Sequence, residues 1–186
     1  MRNIILHQRE ERDRLLSLPY INRQTIYPVD VLLQSPMIKL ITGPRRVGKS
    51  VFALLALKNT NFAYLNFDDN QLLTNWNEDV VMQTLNDVYP DFQYLLLDEV
   101  QNLPNWDLWV TTLYRRGYNL IITGSNARML SQEMATVLTG RYIPIAMYPF
   151  SLPETLQWYD IDPTNIPTEK HAKVLSLQDD YLRLGG

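Results

Sequence analysis

The chain has 186 residues with no cysteine and two histidines, and 17 basic against 20 acidic residues give it a net charge of −3 at pH 7. The missing cysteines exclude a disulfide framework, a thiol nucleophile and cysteine-ligated metal sites, and two histidines are too few for a three-histidine metal site. Nucleic-acid-binding modules usually have a basic surface and a high pI. The pI of this chain is near 5.4, so this segment does not support nucleic-acid binding.

Length and apolar runs limit the class of protein further. One globular domain typically uses roughly 100–200 residues, which favours a single folded core. The N-terminal apolar run is too short for a signal peptide, and the longest run, from Val51 to Leu57, falls far below the ~18 residues of a membrane span. We therefore expect a cytoplasmic protein with no membrane partner.

The predicted elements alternate along the chain. A charged and then apolar stretch from Gln8 to Leu18 predicts a surface helix that ends before Pro19, and residues 20–36 are predicted as irregular or as a second short helix. Predicted strands cover residues 37–42, 62–67, 94–97, 120–123 and 142–147, and predicted helices cover residues 49–58, 80–88, 106–113 and 130–138. Continuous apolar strands that alternate with helices predict an α/β fold in which helices cover both faces of a parallel sheet.

The loop after the first predicted strand carries the most specific motif. It fits the pattern G-x-x-x-x-G-K-[ST] and comprises Gly43, Pro44, Arg45, Arg46, Val47, Gly48, Lys49 and Ser50. The two glycines let the backbone curl its N–H groups around a polyphosphate, and the next helix directs its positive dipole end at the same anion. Lys49 would reach the β- and γ-phosphates, and the Ser50 hydroxyl would bind Mg²⁺. A chance turn is the alternative, and the two loop arginines either contact phosphate or remain solvated.

Two carboxylates, Asp98 and Glu99, end the third predicted strand. The carboxyl ends of parallel strands line one crevice, so Asp98 should lie beside the phosphate loop and bind Mg²⁺. Glu99 would act as general base on an attacking water. The alternative is a solvated acidic pair that opens a loop.

Three further residues are candidates beyond the fourth predicted strand. Ser125 and Asn126 follow that strand, where they would either sense the γ-phosphate and orient the water or cap a helix. Arg141 follows Gly140 and either stabilises transition-state charge, as an arginine finger does, or is a cation at a helix C-terminus. Asp68 and Asp69 either contact a substrate, relay a ligand signal or, as the favoured interpretation, simply end the second strand. Trp106 and Trp109 have the helical spacing of core residues.

Four segments in this order resemble a known family. They are Gly-Pro-Arg-Arg-Val-Gly-Lys-Ser, Leu-Leu-Leu-Asp-Glu-Val-Gln, Ile-Thr-Gly-Ser-Asn, and Leu-Thr-Gly-Arg-Tyr followed by Tyr-Pro-Phe-Ser. They resemble the AAA-like P-loop ATPases of bacteria and archaea, whose core is followed by a winged-helix segment and a nuclease-like C-terminal domain. The resemblance implies an additional-strand P-loop fold with sheet order 5-1-4-3-2. It also implies that Ser125 and Asn126 occupy the sensor position and that Arg141 acts within its own chain or in a neighbouring subunit of a homo-oligomer.

The same resemblance divides the chain and suggests its function. Residues 1–36 would form an N-terminal helical segment packed on the core, residues 37–150 the P-loop ATPase core, and residues 151–186 a helical extension that starts a truncated C-terminal region. The leading hypothesis is an ATPase that binds ATP with Mg²⁺ and couples its hydrolysis to the missing C-terminal domain. Any nucleic-acid binding would belong to that missing part. The alternative is a nucleotide-dependent switch with little turnover. A GTPase is disfavoured because no Asn-Lys-x-Asp segment occurs, and a small-molecule kinase is disfavoured because no arginine-bearing lid is visible.

Overall fold

A computed structural model describes residues 1–125, 138 and 140–185 of the chain. Nearly all of the helix predicted over residues 130–138 lies outside these described residues. The described helices are α1 (Arg2–Leu16), α2 (Val29–Gln34), α3 (Lys49–Leu57), α4 (Asn70–Thr74), α5 (Glu78–Val88), α6 (Trp106–Arg115), α7 (Leu152–Trp158) and α8 (His171–Leu184). The described strands are β1 (Ile38–Thr42), β2 (Phe62–Asn66), β3 (Tyr94–Asp98), β4 (Leu120–Gly124) and β5 (Tyr142–Ala146). Short 3₁₀ turns cover Val100–Asn102 and Thr168–Lys170.

The five described strands form one parallel sheet in the order β2-β3-β4-β1-β5. This confirms the predicted α/β class and the predicted order, in which β4 is inserted between β1 and β3 as the additional strand. Because β1, β3 and β4 are neighbours and run the same way, the loops that follow them meet at one edge of the sheet. We call this the carboxyl edge.

Apolar residues on the two faces of the sheet form two core clusters. Alternate strand residues point to opposite faces, so Leu95 and Leu97 join one cluster while Leu96 joins the other. The first cluster packs under α1, α5 and α6, and the second packs under α3. Trp109 belongs to the first cluster and is buried, as its spacing predicted. Coverage of both faces explains why the strands are continuously apolar in sequence.

The N-terminal helix differs from its prediction. It begins at Arg2 rather than at Gln8, because the early apolar residues supply a buried face, and Ile5 is fully buried against the sheet. Gln8 is also buried, and its side chain pairs with the exposed edge of β2. Its Nε2 donates to the carbonyl of Asn66 at 3.1 Å, and its Oε1 accepts from the Asn66 N–H at 2.9 Å. The helix therefore closes part of an open sheet edge.

The contacts divide the chain into two compact units. One comprises Met1–Leu18 and Tyr27–Met147 and contains the sheet, and the other comprises Pro19–Ile26 and Tyr148–Gly186. Within the second unit, Ser151 and Glu154 form a capping box at the start of α7, and Glu154 accepts hydrogen bonds from the Arg23 side chain and the Gln24 N–H, each at 2.9 Å. The segment boundaries read from the sequence stay a prediction. Across the described residues, no helix is both long enough and apolar enough to span a membrane.

Candidate functional site

The phosphate-loop motif joins β1 to α3 at the carboxyl edge. Gly43 has φ 154°, and a Cβ atom there would lie 2.2 Å from the backbone oxygen of Met147. Arg46 and Gly48 also have positive φ, of 65° and 89°, and Gly48 is the residue from which α3 begins. The close approach and the backbone angles explain why glycine stands at both fixed positions of the motif. Successive backbone N–H groups in such a curl form an anion-binding concavity.

Lys49 lies in the first turn of α3 and is buried. Its Nζ lies 3.0 Å from the Pro44 carbonyl oxygen, to which it donates, and 3.5 Å from Glu99 Oε1. The ammonium group is therefore held between the phosphate loop and the acidic end of β3. A flexible lysine in this position can transfer its hydrogen bonds to phosphate oxygens.

Asp98 is the last residue of β3 and is buried among hydroxyl groups. It accepts hydrogen bonds from Thr123 Oγ1, from the Tyr64 hydroxyl at 3.3 Å, and from Ser50. Burial raises the pKa of this carboxyl, and the hydrogen bonds from the three hydroxyls only partly oppose that effect. Among the residues that the structure describes, none of the salt bridges involves this carboxylate.

The Ser50–Asp98 pair fits a magnesium ion. A carboxylate and a hydroxyl in mutual contact are hard oxygen ligands of the kind that Mg²⁺ prefers, and Mg²⁺ usually takes one or two carboxylates together with phosphates and waters. Among the described residues, no group of three or more His, Cys, Asp or Glu side chains could hold a metal ion. An ion bound here would therefore depend on a nucleotide for part of its coordination.

Glu99 follows β3 with φ 50°, and its N–H donates to Thr123 Oγ1 at 2.9 Å. Its carboxylate accepts hydrogen bonds from Gln101 Nε2 and from Ser125, in addition to the ion pair with Lys49. Burial by itself raises the pKa of this carboxyl, but the hydrogen bonds from Gln101 and Ser125 and the charge of Lys49 outweigh burial and lower the pKa. The two neighbouring acids thus have pKa values shifted in opposite directions.

The structure brings together most of the residues that the sequence predicted for the site. Lys49, Ser50, Asp98, Glu99 and Ser125 are joined by the contacts just described. Pro44, Arg45 and Arg46 are exposed on the loop, and Val47 is buried beneath it. Asn126 lies outside the described residues.

Arg141 lies just before β5, at the end of the sheet opposite to the carboxyl edge. Its carbonyl oxygen accepts from the Ile38 N–H at 2.9 Å, immediately before the register pair Ile38↔Tyr142. Since each strand residue adds about 3.3 Å, Arg141 lies about 16 Å along the sheet from the end of β1. The structure therefore does not bring Arg141 together with Glu99.

Sequence reasoning missed three residues that shape the acidic pair. Tyr64 lies within β2, Thr123 within β4, and Gln101 in the 3₁₀ turn after Glu99. Thr123 and Gln101 both stand inside the segments that carried the family resemblance, and that position was the available signal. Nothing in the local pattern around Tyr64 marks its hydroxyl as a partner of Asp98.

The two aspartates after β2 have structural partners. Asp69 caps α4, since its side chain accepts from the Gln71 N–H at 2.8 Å. Asp68 accepts from Asn102 Nδ2 at 2.7 Å. These contacts agree with the interpretation that the pair ends the strand.

Comparison with known proteins identifies relatives of uncharacterized function. The chain is 29% identical over 168 residues to an uncharacterized protein of Methanocaldococcus jannaschii, which covers 85% of this chain and 37% of that protein. It is 35% identical over 164 residues to an uncharacterized protein of Haemophilus influenzae, which covers 80% of this chain and 39% of that protein. The chain thus spans less than two fifths of the length of these curated relatives.

A solved structure and a family model also match the chain. AMPPCP-bound DnaA from Aquifex aeolicus aligns with a TM-score of 0.44 at 17% identity, over 96% of this chain and 59% of that chain. The family described as "AAA domain" matches residues 35–156, a range that contains the phosphate loop, the acidic pair and all five described strands. The chain belongs to this AAA domain family.

Proposed function

We propose that the chain binds ATP with Mg²⁺ and hydrolyses it. The observation that carries the proposal is the convergence at the carboxyl edge, where Lys49 Nζ lies 3.5 Å from Glu99 Oε1 and Ser50 hydrogen-bonds to Asp98. Membership of the AAA domain family supports nucleotide binding and is compatible with ATPase activity. A phosphate-binding loop beside two carboxylates is the arrangement that phosphoryl transfer to water requires.

Each residue has a role in the proposed reaction. The loop N–H groups and the Lys49 ammonium bind the β- and γ-phosphates, and Ser50 and Asp98 hold Mg²⁺. The ion, when bound, neutralises phosphate charge and orients the oxygens. Water attacks the γ-phosphorus as Glu99 accepts its proton, and the bond from the γ-phosphorus to the bridging oxygen breaks, so that ADP leaves with the electron pair.

Nucleotide binding would also prepare Glu99. In the structure Lys49 contacts both the Pro44 carbonyl and Glu99. Phosphate oxygens compete for the same ammonium, and Glu99 would then lose its cationic partner. The pKa of Glu99, which this cation helps to lower, would rise toward the range in which a carboxylate is a better base.

A nucleotide-dependent switch with little turnover is the second candidate. It is favoured by the position of Arg141, because its own chain holds this arginine about 16 Å along the sheet from the end of β1. We propose that Arg141 serves the nucleotide of a neighbouring subunit. We also propose that nucleotide state is coupled to the rest of a longer protein, as the limited coverage of both relatives suggests.

Phosphate release distinguishes the two candidates. Steady-state release of phosphate from ATP is measured for wild type and for Glu99→Gln, beside equilibrium binding of a non-hydrolysable ATP analogue. An ATPase loses about 10²–10⁴-fold in turnover without its general base, while analogue affinity stays within a few fold. Binding without hydrolysis by wild type would support the switch, and equal turnover in the two proteins would refute Glu99 as the base.

A further inference from the structure

Gln101 has no role in the reaction as described so far, yet its side chain lies at the proposed base. It stands two residues after Glu99, in the 3₁₀ turn Val100–Asn102 that follows β3. Its Nε2 donates to Glu99 Oε2 and lies 3.4 Å from Ser125 Oγ. One amide group therefore links the acidic end of β3 to the residue that follows β4.

The orientation of this amide follows from its partners. A carboxylate oxygen is an acceptor only, so the NH₂ end of the amide must face Glu99. That orientation turns the Oε1 atom of Gln101 away from the carboxylate. Oε1 is buried and has no hydrogen-bond partner among the described residues.

An unpaired buried acceptor is uncommon in folded proteins and calls for a physical explanation. Within the described part of the chain, Gln101 Oε1 has no hydrogen-bond partner, while both Nε2 contacts lie at the proposed reaction centre. The neighbouring Asn102 shows the contrast, because its amide contacts Asp68 and the Phe67 carbonyl instead. The arrangement is thus specific to Gln101 rather than general to this turn.

Glu99 has two kinds of partner, which respond differently to nucleotide binding. Lys49 would transfer to phosphate oxygens, whereas Gln101 and Ser125 would keep their hydrogen bonds to Glu99. Glu99 also has φ 50°, a backbone region in which a residue that is not glycine is held by its surroundings. After Lys49 leaves, the carboxylate needs another donor to keep its direction.

We propose that Gln101 is a positioning residue that holds the Glu99 carboxylate in the orientation for attack on ATP, and links it to Ser125. The inference rests on the proposed ATPase function. It assigns a role to the glutamine of the Asp-Glu-Val-Gln segment, which the reaction itself does not require. Because Gln101 acts through Glu99, it affects the rate of the chemical step and not the affinity for nucleotide.

Variants of the whole chain test the proposal. Gln101→Met keeps the length of the side chain and removes the donor, Gln101→Glu keeps its shape and places a second carboxylate against Glu99, and Asn102→Ala is the control in the same turn. Turnover of ATP and equilibrium affinity for a non-hydrolysable ATP analogue are measured for each, with circular dichroism to verify folding. We expect kcat to fall about tenfold to a hundredfold in Gln101→Met and further in Gln101→Glu, since a hydrogen bond to a charged group is lost.

The same measurements separate the ways in which the proposal fails. Analogue affinity should stay within about twofold in both Gln101 variants, and Asn102→Ala should match wild type in both quantities. If wild type turns over ATP and a folded Gln101 variant retains its kcat, the positioning role is refuted while the ATPase function stands. A Gln101 variant whose analogue affinity falls as much as its kcat also refutes the role. If wild type binds the analogue and does not turn over ATP, the ATPase function fails and the positioning role fails with it.

Discussion

Substitution of Gly43 tests how closely the phosphate loop is fitted to the sheet. A Cβ atom at this position would lie 2.2 Å from the Met147 backbone oxygen, far inside the roughly 3.5 Å of an ordinary contact. It would also lie 3.2 Å from Val47 Cγ1, which is only slightly too close. Met147 cannot easily withdraw, because its N–H donates to the Thr42 carbonyl at 2.7 Å. Gly43→Ala must therefore separate the ends of β1 and β5 by about 1 Å.

The expected cost has two parts. Overpacking a fitted site costs about 1–3 kcal/mol, and placing a residue other than glycine at φ 154° costs about 1–3 kcal/mol. We expect Gly43→Ala to lower the free energy of unfolding by about 2–6 kcal/mol. We also expect weaker ATP binding, because the loop moves with the displaced backbone.

Gly117→Ala provides the matched control. Gly117 has φ 85° at the end of α6, and a Cβ atom there would meet nothing within 4 Å, so only the backbone cost of about 1–2 kcal/mol applies. Urea unfolding of both variants can be followed by tryptophan fluorescence. The ring centroids of Trp76 and Trp109 lie 4.9 Å apart in the unit that contains the sheet. If Gly43→Ala lowers the free energy of unfolding no more than Gly117→Ala does, the close approach to Met147 does not constrain the loop.

Three further substitutions have definite expected results. Asp98→Asn should raise the stability of the nucleotide-free protein at pH 7, because a pKa raised by burial means that the folded state disfavours the charged carboxylate. The gain should vanish as the pH falls below the pKa of an aspartate in the unfolded chain, about 3.9. Unfolding curves that show no gain at pH 7 would contradict this. Gln8→Leu should cost about 2–3 kcal/mol in urea unfolding by leaving the β2 edge at Asn66 unpaired, and a loss below 0.5 kcal/mol would show that water replaces the pairing. Arg141→Ala should reduce turnover while leaving ATP affinity unchanged, and mixing it with Glu99→Gln should restore part of the activity if the arginine serves a neighbouring subunit; no recovery on mixing would argue against that role.

Sequence patterns predicted the features that depend on local order. The phosphate-loop motif fixes where the backbone must curl, and Asp98 and Glu99 end an apolar strand. Because the carboxyl ends of parallel strands lie at one edge of the sheet, the acidic pair is expected beside the phosphate loop. The strand order came from the family resemblance and was confirmed. The position of Arg141 was also within reach of this logic, because a residue that precedes a parallel strand lies at the edge opposite to the phosphate loop.

Other features depend on contacts between distant parts of the chain. Tyr64 reaches Asp98 from the next strand across a separation of 34 residues, and Gln8 reaches Asn66 across 58. Neither side chain belongs to a local pattern, and a buried glutamine in a charged helix is indistinguishable in sequence from a solvated one. Gln101 was visible within a recognised segment, but its partners become apparent only once the 3₁₀ turn is seen.

We propose above that the phosphate loop binds ATP, with Lys49 as its cationic contact to the phosphates. Calorimetric titration with ATP and Mg²⁺ tests it most directly when wild type is compared with Lys49→Ala and with Lys58→Ala, which removes an exposed lysine from the other end of the same helix. We expect wild type and Lys58→Ala to bind ATP alike. Lys49→Ala should bind ATP at least about a hundredfold more weakly, because it loses a charged contact to phosphate, while its circular dichroism spectrum stays unchanged. Equal ATP affinity in Lys49→Ala and wild type would show that Lys49 does not bind the nucleotide.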